Sequence, residues 1–234
     1  MLAANNVEKS LKKLGTKRKA ESSAWFFKTG VGQYGYGDVF IGVTVPEQRK
    51  IAKEFFELPL AEITKLLESK YHECRLTALL ILVGQFKKAD ERGREKLVKF
   101  YLKHTKHINN WDLVDLSASY ILGEYLFDKD RAVLYKLVKS KNIWERRIAI
   151  IATHAFIRKG SCADTFNLAE ILLADTHDLI HKAVGWMLRE VGKRVSRPAL
   201  VEFLEAHTHK MPRTTLRYAI EHFSEIDRKK FLAK

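Results

Sequence analysis

The chain has 234 residues, of which 46% are hydrophobic, so it is long enough to bury a sizeable core without disulfides or metals. Lysine and arginine number 42 against 28 aspartates and glutamates, which gives a formal net charge of +14. This excess of positive charge favours a polyanionic partner, nucleic acid first. An anionic membrane surface is a less favoured partner, because no single segment combines a basic face with exposed aromatic residues. Charge alone also fits a basic surface that is merely solvated.

The two cysteines, Cys74 and Cys162, indicate neither a disulfide framework nor a zinc site, because they have no paired spacing and no Cys or His partners at ligand distance. We expect no metal and no organic cofactor. The first residues lack the apolar core of a signal peptide, and no later stretch is long and apolar enough to span a bilayer. These features predict a soluble cytoplasmic protein that does not bind membranes.

The N-terminal segment is predicted to form a helix over about residues 5–27, followed by a glycine-rich loop over residues 28–43. The loop lacks the Gly-Lys-Ser/Thr sequence of a phosphate-binding loop. Its aromatic residues Tyr34, Tyr36 and Phe40 either pack the loop onto the rest of the fold or meet a ligand, and packing is favoured. We expect one domain over residues 1–234, with this N-terminal region over residues 1–57.

From residue 58 onward, apolar residues recur at helical spacing in nearly every segment, and the helices come in pairs. The second helix of each pair begins with a short polar entry. Thr105, Ser140 and Asp175 align these entries at intervals of about 35 residues, a period typical of helical repeats that stack into a solenoid. The pattern predicts an all-α solenoid over residues 58–234, with the second helices lining a concave face.

The entry that follows Thr105, INNWDLVDL at residues 108–116, places Trp111 and Asp115 on one helix face. Asn109 and Asn110 are good N-caps, and Asp112 in the first turn is favoured by the helix dipole, so these residues have a structural explanation. Asp115 is a candidate functional carboxylate, and its alternative is a buried ion pair with an arginine. The apolar face of this helix is predicted to consist of Leu113, Leu116, Tyr120 and Ile121.

The next two entries add basic and aromatic side chains. NIWERRIAI, residues 142–150, carries Arg146 and Arg147, which point about 100 degrees apart on a helix. In HKAVGWMLREVGK, residues 181–193, Lys182, Trp186 and Arg189 fall on one stripe. A single tryptophan at helical spacing is more often a core residue. The charged neighbours of Trp111 and Trp186 favour a ligand-facing role instead.

The segments NNWDLVD, NIWERRIAI and KAVGWMLRE, together with FFK and VPEQRK near the start, resemble the AlkD-like DNA alkylation repair proteins. That family consists of HEAT-like-repeat DNA glycosylases that excise cationic N3- and N7-alkylated purines. The resemblance covers nearly the whole chain. It implies an α-solenoid of HEAT-like helical repeats with a concave basic groove, acting as a monomer on double-stranded DNA without flipping the base.

The resemblance also assigns residues. Trp111 and Trp186 match the two active-site tryptophans, Asp115 matches the catalytic aspartate, and Arg147 matches an arginine that binds the DNA. Phe26 or Trp25 stands where the family has a tyrosine on an N-terminal helix. Three further basic residues are expected to help hold the phosphates: Arg146, Lys182 and Arg189.

Two other functions fit parts of the pattern. A non-catalytic HEAT-repeat DNA-binding protein would have the same basic groove, and only the set of Trp111, Asp115 and Trp186 favours catalysis over it. A HEAT-type adaptor that binds an acidic peptide would also use a concave face lined by lysine and arginine.

Overall fold

The computed structural model describes residues 2–233, and it is built from α-helices. Within that range β structure is limited to one isolated parallel bridge between Val39 and Tyr71. The chain divides into an N-terminal unit, Met1–Ser117, and a C-terminal unit, Ala118–Lys234. None of the helices in residues 2–233 has the length and apolar character needed to cross a membrane.

The N-terminal unit is organised around one helix that is buried along most of its length. Its helices are α1 Ala4–Leu14, α2 Lys17–Phe26, α3 Val45–Glu54, α4 Leu60–Leu67, α5 His72–Lys88, α6 Glu91–Lys103 and α7 Trp111–Asp115, with a 3₁₀ turn at Thr105–His107. From His72 to Val83 every residue of α5 is buried, as expected for a helix packed on all sides. Its neighbours α3 and α4 contribute Ile51, Ile63 and Leu66 to the core.

The C-terminal unit is built around α13. It opens with a π-helical turn at Ser119–Gly123, has a 3₁₀ turn at Thr208–Lys210, and contains α8 Glu124–Leu126, α9 Ala132–Leu137, α10 Ile143–Ala152, α11 His154–Arg158, α12 Ala163–Leu172, α13 Asp178–Arg194, α14 Arg197–His207, α15 Arg213–Ala219 and α16 Glu225–Ala233. Helices α10, α12, α14 and α15 all pack against α13. Ile180, Val184 and Leu188 on α13 are fully buried there.

The predicted helix pairs are confirmed. Each polar entry identified in the sequence precedes the second helix of a pair, at α5, α7, α10, α13 and α15. The first helices of those pairs are α4, α6, α9, α12 and α14. The all-α repeat fold predicted from the helical period is therefore the fold of this chain.

The prediction of one continuous N-terminal helix over residues 5–27 was wrong, because α1 and α2 are separated at Gly15 and Thr16. Gly15 has an extended backbone, and a Cβ atom there would lie 2.5 Å from the side chain of Ile41. Thr16 donates its backbone N–H to the carbonyl of Gly42 and caps α2 with its hydroxyl. The end of the glycine-rich segment thus packs into the break between the two helices.

Helix α3 lies within residues 43–57, where the sequence reading placed no helix. The carboxylate of Glu47 accepts hydrogen bonds from the backbone N–H of Thr44 at 2.8 Å and from its hydroxyl at 2.7 Å. Pro46 stands in the first turn. Thr44, Pro46 and Glu47 form a recognisable helix-start signature in TVPE, which was the available signal.

Gly42 and Gly37 offer a matched pair of substitutions, because both have a φ of 89°. A Cβ at Gly42 would lie 2.2 Å from the carbonyl oxygen of Thr16, whereas a Cβ at Gly37 would meet nothing within 4 Å. We expect Gly42→Ala to lower the free energy of unfolding by about 1–3 kcal/mol more than Gly37→Ala, since only the first adds a steric clash to the backbone cost. Chemical denaturation measures both, and equal losses would contradict the close packing at Thr16.

Candidate functional site

Helix α7 begins at Trp111, and its start is held by hydrogen bonds. Asn110 caps the helix by accepting the backbone N–H of Trp111 at 2.8 Å, which confirms the predicted cap at that position, while Asn109 lies outside the cap. The carboxylate of Asp112 accepts the N–H of Leu113 at 2.8 Å. These bonds satisfy part of the free N–H groups of the first turn and fix the direction in which Trp111 projects.

A buried chain of charged groups lies behind this helix start. His72, the first residue of α5, places Nε2 2.8 Å from a carboxylate oxygen of Asp112 and Nδ1 3.0 Å from a carboxylate oxygen of Asp38. Asp38 also accepts hydrogen bonds from Arg75, at 2.5 Å, and from the side-chain amide of Asn110, at 3.0 Å. One carboxylate from the glycine-rich segment therefore joins α5 to the cap of α7.

The two flanking carboxylates keep His72 charged. Burial by itself lowers the pKa of this imidazole, but the charge and hydrogen bond of Asp112, with a further hydrogen bond to Asp38, outweigh burial and raise the pKa to about 9. Burial by itself raises the pKa of Asp38, but its hydrogen bond to His72 and the nearby Arg75 guanidinium bring that pKa below its usual value. At neutral pH the chain thus holds an imidazolium between two carboxylates.

This charge pattern predicts the pH dependence of stability. Because the folded pKa of His72 is above 6.5, its contribution is fully present below pH 6.5 and is lost as the pH rises through about 9. The lowered pKa of Asp38 acts oppositely, so its contribution is present above the ordinary aspartate pKa and is lost in acid. We expect the free energy of unfolding to fall by about 3 kcal/mol between pH 6.5 and about 9.5.

Urea denaturation of the protein and of a His72→Gln variant across this range isolates the histidine from other groups that titrate there. The stability of the variant should change less steeply with pH than that of the unchanged protein. Parallel stability curves for the two proteins would show that His72 does not carry the effect.

Aromatic rings cover the solvent side of this charged chain. Phe27 stacks on Trp111 with ring centroids 5.2 Å apart and an interplanar angle of 18°, and on Phe40 at 5.1 Å and 21°. Phe40 in turn stacks on His72 at 4.7 Å. Of the three aromatics in the glycine-rich loop that were expected to pack, Phe40 does so, whereas Tyr36 is exposed, contrary to the expectation.

The ring beside Trp111 on the exposed side belongs to Phe26. Its centroid lies 5.9 Å from that of Trp111 in an edge-on arrangement, and 54% of Phe26 is exposed. Trp25 is 74% exposed and has the ammonium of Lys28 4.8 Å above its ring. Of the two residues considered for the position of the family tyrosine, Phe26 is therefore the one in contact with Trp111.

Trp111 and Asp115 are the first and last residues of α7, and both are half-buried. Leu113 and Val114 between them are fully buried. The prediction that Leu113 belongs to the apolar face of this segment is therefore correct. The prediction that Tyr120 belongs to the same face is wrong, because Tyr120 is exposed and has the guanidinium of Arg158 5.3 Å above its ring.

In the C-terminal unit, the two adjacent arginines of α10 have different surroundings. Arg147 is buried and donates to the carbonyl of Leu179 at 2.5 Å. Arg146 pairs with Asp175 at 2.6 Å and also donates to the carbonyl of Ser140 at 2.9 Å. Arg146 thus links the starts of two successive repeats. The prediction for Arg146 was a contact with a DNA phosphate and did not include this structural role.

Helix α13 carries the remaining predicted residues. Trp186 is half-buried, and its ring centroid lies 5.7 Å from that of His154. Burial and the nearby charge of Arg158 lower the pKa of His154, so a neutral imidazole faces the indole at neutral pH.

The two basic residues on α13 have acidic partners. Lys182 pairs with Asp178 at 2.7 Å. Arg189 pairs with Glu221 and lies 3.8 Å from Glu190. Each positive charge is therefore partly compensated, and the contribution of these residues to binding stays a prediction.

Comparison with known proteins decides the family. A family model described as DNA alkylation repair enzyme matches residues 7–223, nearly the entire chain. The chain belongs to the DNA alkylation repair enzyme family. This confirms the resemblance that the motifs indicated and makes DNA the substrate class of the family to which the chain belongs.

A solved structure agrees with the fold of this family member. A predicted DNA alkylation repair enzyme from Enterococcus faecalis superposes with a TM-score of 0.70 over 90% of this chain and 97% of that chain, at 16% sequence identity. At that identity the likeness shows the fold alone. No curated protein sequence matches the chain.

Four residues of the site were missed in the sequence: Asp38, His72, Arg75 and Phe27. Asp38 and His72 lie 34 residues apart, and His72 and Asp112 lie 40 apart, so no local pattern links them. The signal available in the sequence was the group of His72, Glu73 and Arg75 at the start of the otherwise apolar helix α5. Charged side chains that are buried in such a helix need partners from other parts of the chain. Phe27 was passed over because its neighbours Trp25 and Phe26 were the candidates for the same position.

Proposed function

We propose that the chain is a monofunctional DNA glycosylase that hydrolyses the N-glycosidic bond of cationic N3- and N7-alkylated purines in duplex DNA, without flipping the base. The observation that carries the proposal is the arrangement of α7. Its polar residues Asn110 and Asp112 are accounted for by the helix start and by His72. Trp111 and Asp115 are the first and last residues of the same short helix, and both are only half-buried, so each keeps part of its surface accessible to a ligand.

The chemistry of the substrate explains why an indole and a carboxylate suit this reaction. Alkylation at N3 or N7 gives the purine a positive charge, which makes it a good leaving group, and bond cleavage leaves an oxocarbenium-like sugar. A tryptophan face attracts a cation by about 0.5–2 kcal/mol. An ionised Asp115 would stabilise the developing sugar cation and orient the attacking water.

The aromatic layer supports the role of Trp111. Stacking by Phe27 and the edge of Phe26 hold the indole between rings, so little side-chain entropy remains to be lost when the substrate binds. In the C-terminal unit we propose that Trp186 contacts the lesion nucleotide and that Arg147 contacts a phosphate. Arg146, Lys182 and Arg189 are proposed as further phosphate contacts that carry no sequence information.

The proposal is tested by incubating the purified protein, as a monomer and without added metal, with methylated duplex DNA. Free 7-methylguanine or 3-methyladenine, with an abasic site left in the strand, is the expected product. Binding that weakens with salt but yields no free base would instead identify a non-catalytic DNA-binding repeat protein. No binding to duplex DNA at low salt would favour an adaptor for acidic peptides.

A further inference from the structure

Residues 28–37, the first part of the glycine-rich loop and called the glycine loop from here on, present apolar side chains to solvent. Val31 is 89% exposed and Tyr36 is 66% exposed. The preceding helix α2 has no buried residue, and its last two residues, Trp25 and Phe26, are both exposed. Large apolar side chains grouped on one exposed segment are typical of an interaction site.

The backbone of the glycine loop is folded onto itself. Gly35 donates to the carbonyl of Lys28 at 3.1 Å, and Thr29 donates its hydroxyl to the carbonyl of Ala24 at 3.1 Å. A Cβ at Gly35 would lie 2.2 Å from the carbonyl oxygen of Phe27, so the loop packs directly against the end of α2. The loop therefore has a defined backbone conformation in which the side chains of Val31 and Tyr36 are exposed to solvent.

The loop is also joined to the proposed active site. Asp38, the residue that follows the loop, is hydrogen-bonded to His72 and to Asn110. Asn110 caps α7, the helix that begins at Trp111. At its other end the loop follows Phe27, which stacks on Trp111. Both ends of the loop thus connect to groups that position the Trp111 indole.

The charge of this region selects the partner. Within residues 17–37 there are four basic residues, Lys17, Arg18, Lys19 and Lys28, and one acidic residue, Glu21. Lys17, Arg18 and Lys19 lie in the first turn of α2, whereas the ammonium of Lys28 lies 4.8 Å above the ring of the exposed Trp25. A basic side chain next to an exposed aromatic ring is the combination that binds phosphates and stacks on bases. An acidic peptide would match the charge, but it would leave the aromatic side chains without a stacking partner.

We propose that the glycine loop contacts duplex DNA next to the nucleotide held by Trp111, with Tyr36 stacking on a base and Lys28 lying near a phosphate. The inference rests on the proposed function, because it takes damaged duplex DNA as the ligand. It gives the glycine loop a task that glycosidic bond cleavage itself does not require, namely probing the base stack around the lesion.

The test compares the affinities of Tyr36→Ala, Tyr36→Phe and the unchanged protein for a short duplex that contains a tetrahydrofuran abasic-site analogue. Tyr36→Ala should bind about 10-fold more weakly, whereas Tyr36→Phe, which keeps the ring, should bind like the unchanged protein. Ile226→Ala, which removes an 81% exposed apolar side chain in the C-terminal unit, serves as the matched control and should not change affinity. Because Tyr36 is exposed, unfolding temperatures should be equal in all four proteins.

The outcomes separate this inference from the function beneath it. If the unchanged protein binds the duplex and releases alkylated bases but Tyr36→Ala binds equally well, the inference is overturned while the proposed function stands. If the unchanged protein binds no duplex DNA, both are wrong. Photocrosslinking with 5-iododeoxyuridine opposite the abasic analogue, followed by mass spectrometry, should locate the crosslink at Tyr36, and a crosslink confined to other residues would contradict the proposed stacking.

Discussion

Asp115→Asn is expected to reduce the single-turnover release of alkylated purines by about 100- to 1,000-fold, the usual effect of removing one preorganised electrostatic group from an active site. The amide keeps the size of the side chain but loses the negative charge that the oxocarbenium-like sugar requires. Affinity for alkylated DNA should stay the same or rise, because the variant also loses a carboxylate that repels phosphates. Base release and DNA affinity are measured on the same duplex.

Asp128→Asn is the matched control for this substitution. Asp128 is an exposed aspartate after α8, and its replacement should change neither base release nor affinity. A structural role for Asp115 would give a different pattern, in which unfolding temperature, affinity and base release all fall together. That pattern would exclude Asp115 as the catalytic carboxylate.

His72→Ala is expected to cause the largest loss of stability of any substitution considered, about 3–5 kcal/mol in the free energy of unfolding at neutral pH. The alanine leaves the carboxylates of Asp38 and Asp112 buried without the imidazolium between them. It also removes a ring on which Phe40 stacks. Chemical denaturation monitored by circular dichroism measures the loss.

The control for this variant is His209→Ala, at an exposed histidine in the C-terminal unit, which should change stability by less than about 0.5 kcal/mol. A loss of less than about 1 kcal/mol for His72→Ala would mean that the two carboxylates find other partners or become protonated at little cost. In that case His72 would not organise the start of α7.

The repeat fold was predictable because it depends on short-range periodicity. The apolar face of each helix is determined by residues that lie close together in the sequence. The caps Asn110 and Ser196 lie within three residues of the backbone N–H groups from which they accept hydrogen bonds. Features set by distant packing were not predictable in this way. The break at Gly15 depends on Ile41, which packs against it, and the exposure of Tyr120 depends on the π-helical turn that changes the helical register.

The candidate site shows the same limit. The motif at residues 108–116 identified Trp111 and Asp115 by their residue types and spacing, and the family match supports the resemblance that assigned their roles. The groups that hold Trp111 in place come from the end of α2, the glycine-rich segment and the start of α5, between 39 and 85 residues away along the chain. Only folding brings them together, so their function as a support could not be found in a local pattern.

The most direct test of the glycosylase proposal is single-turnover release of free base from duplex DNA methylated at guanine N7 or adenine N3, with enzyme in excess and the products analysed by mass spectrometry. The proposal predicts free 7-methylguanine or 3-methyladenine at a rate well above spontaneous depurination, together with intact strands that contain abasic sites. Release no faster than in the absence of protein, from DNA that the protein demonstrably binds, would contradict it.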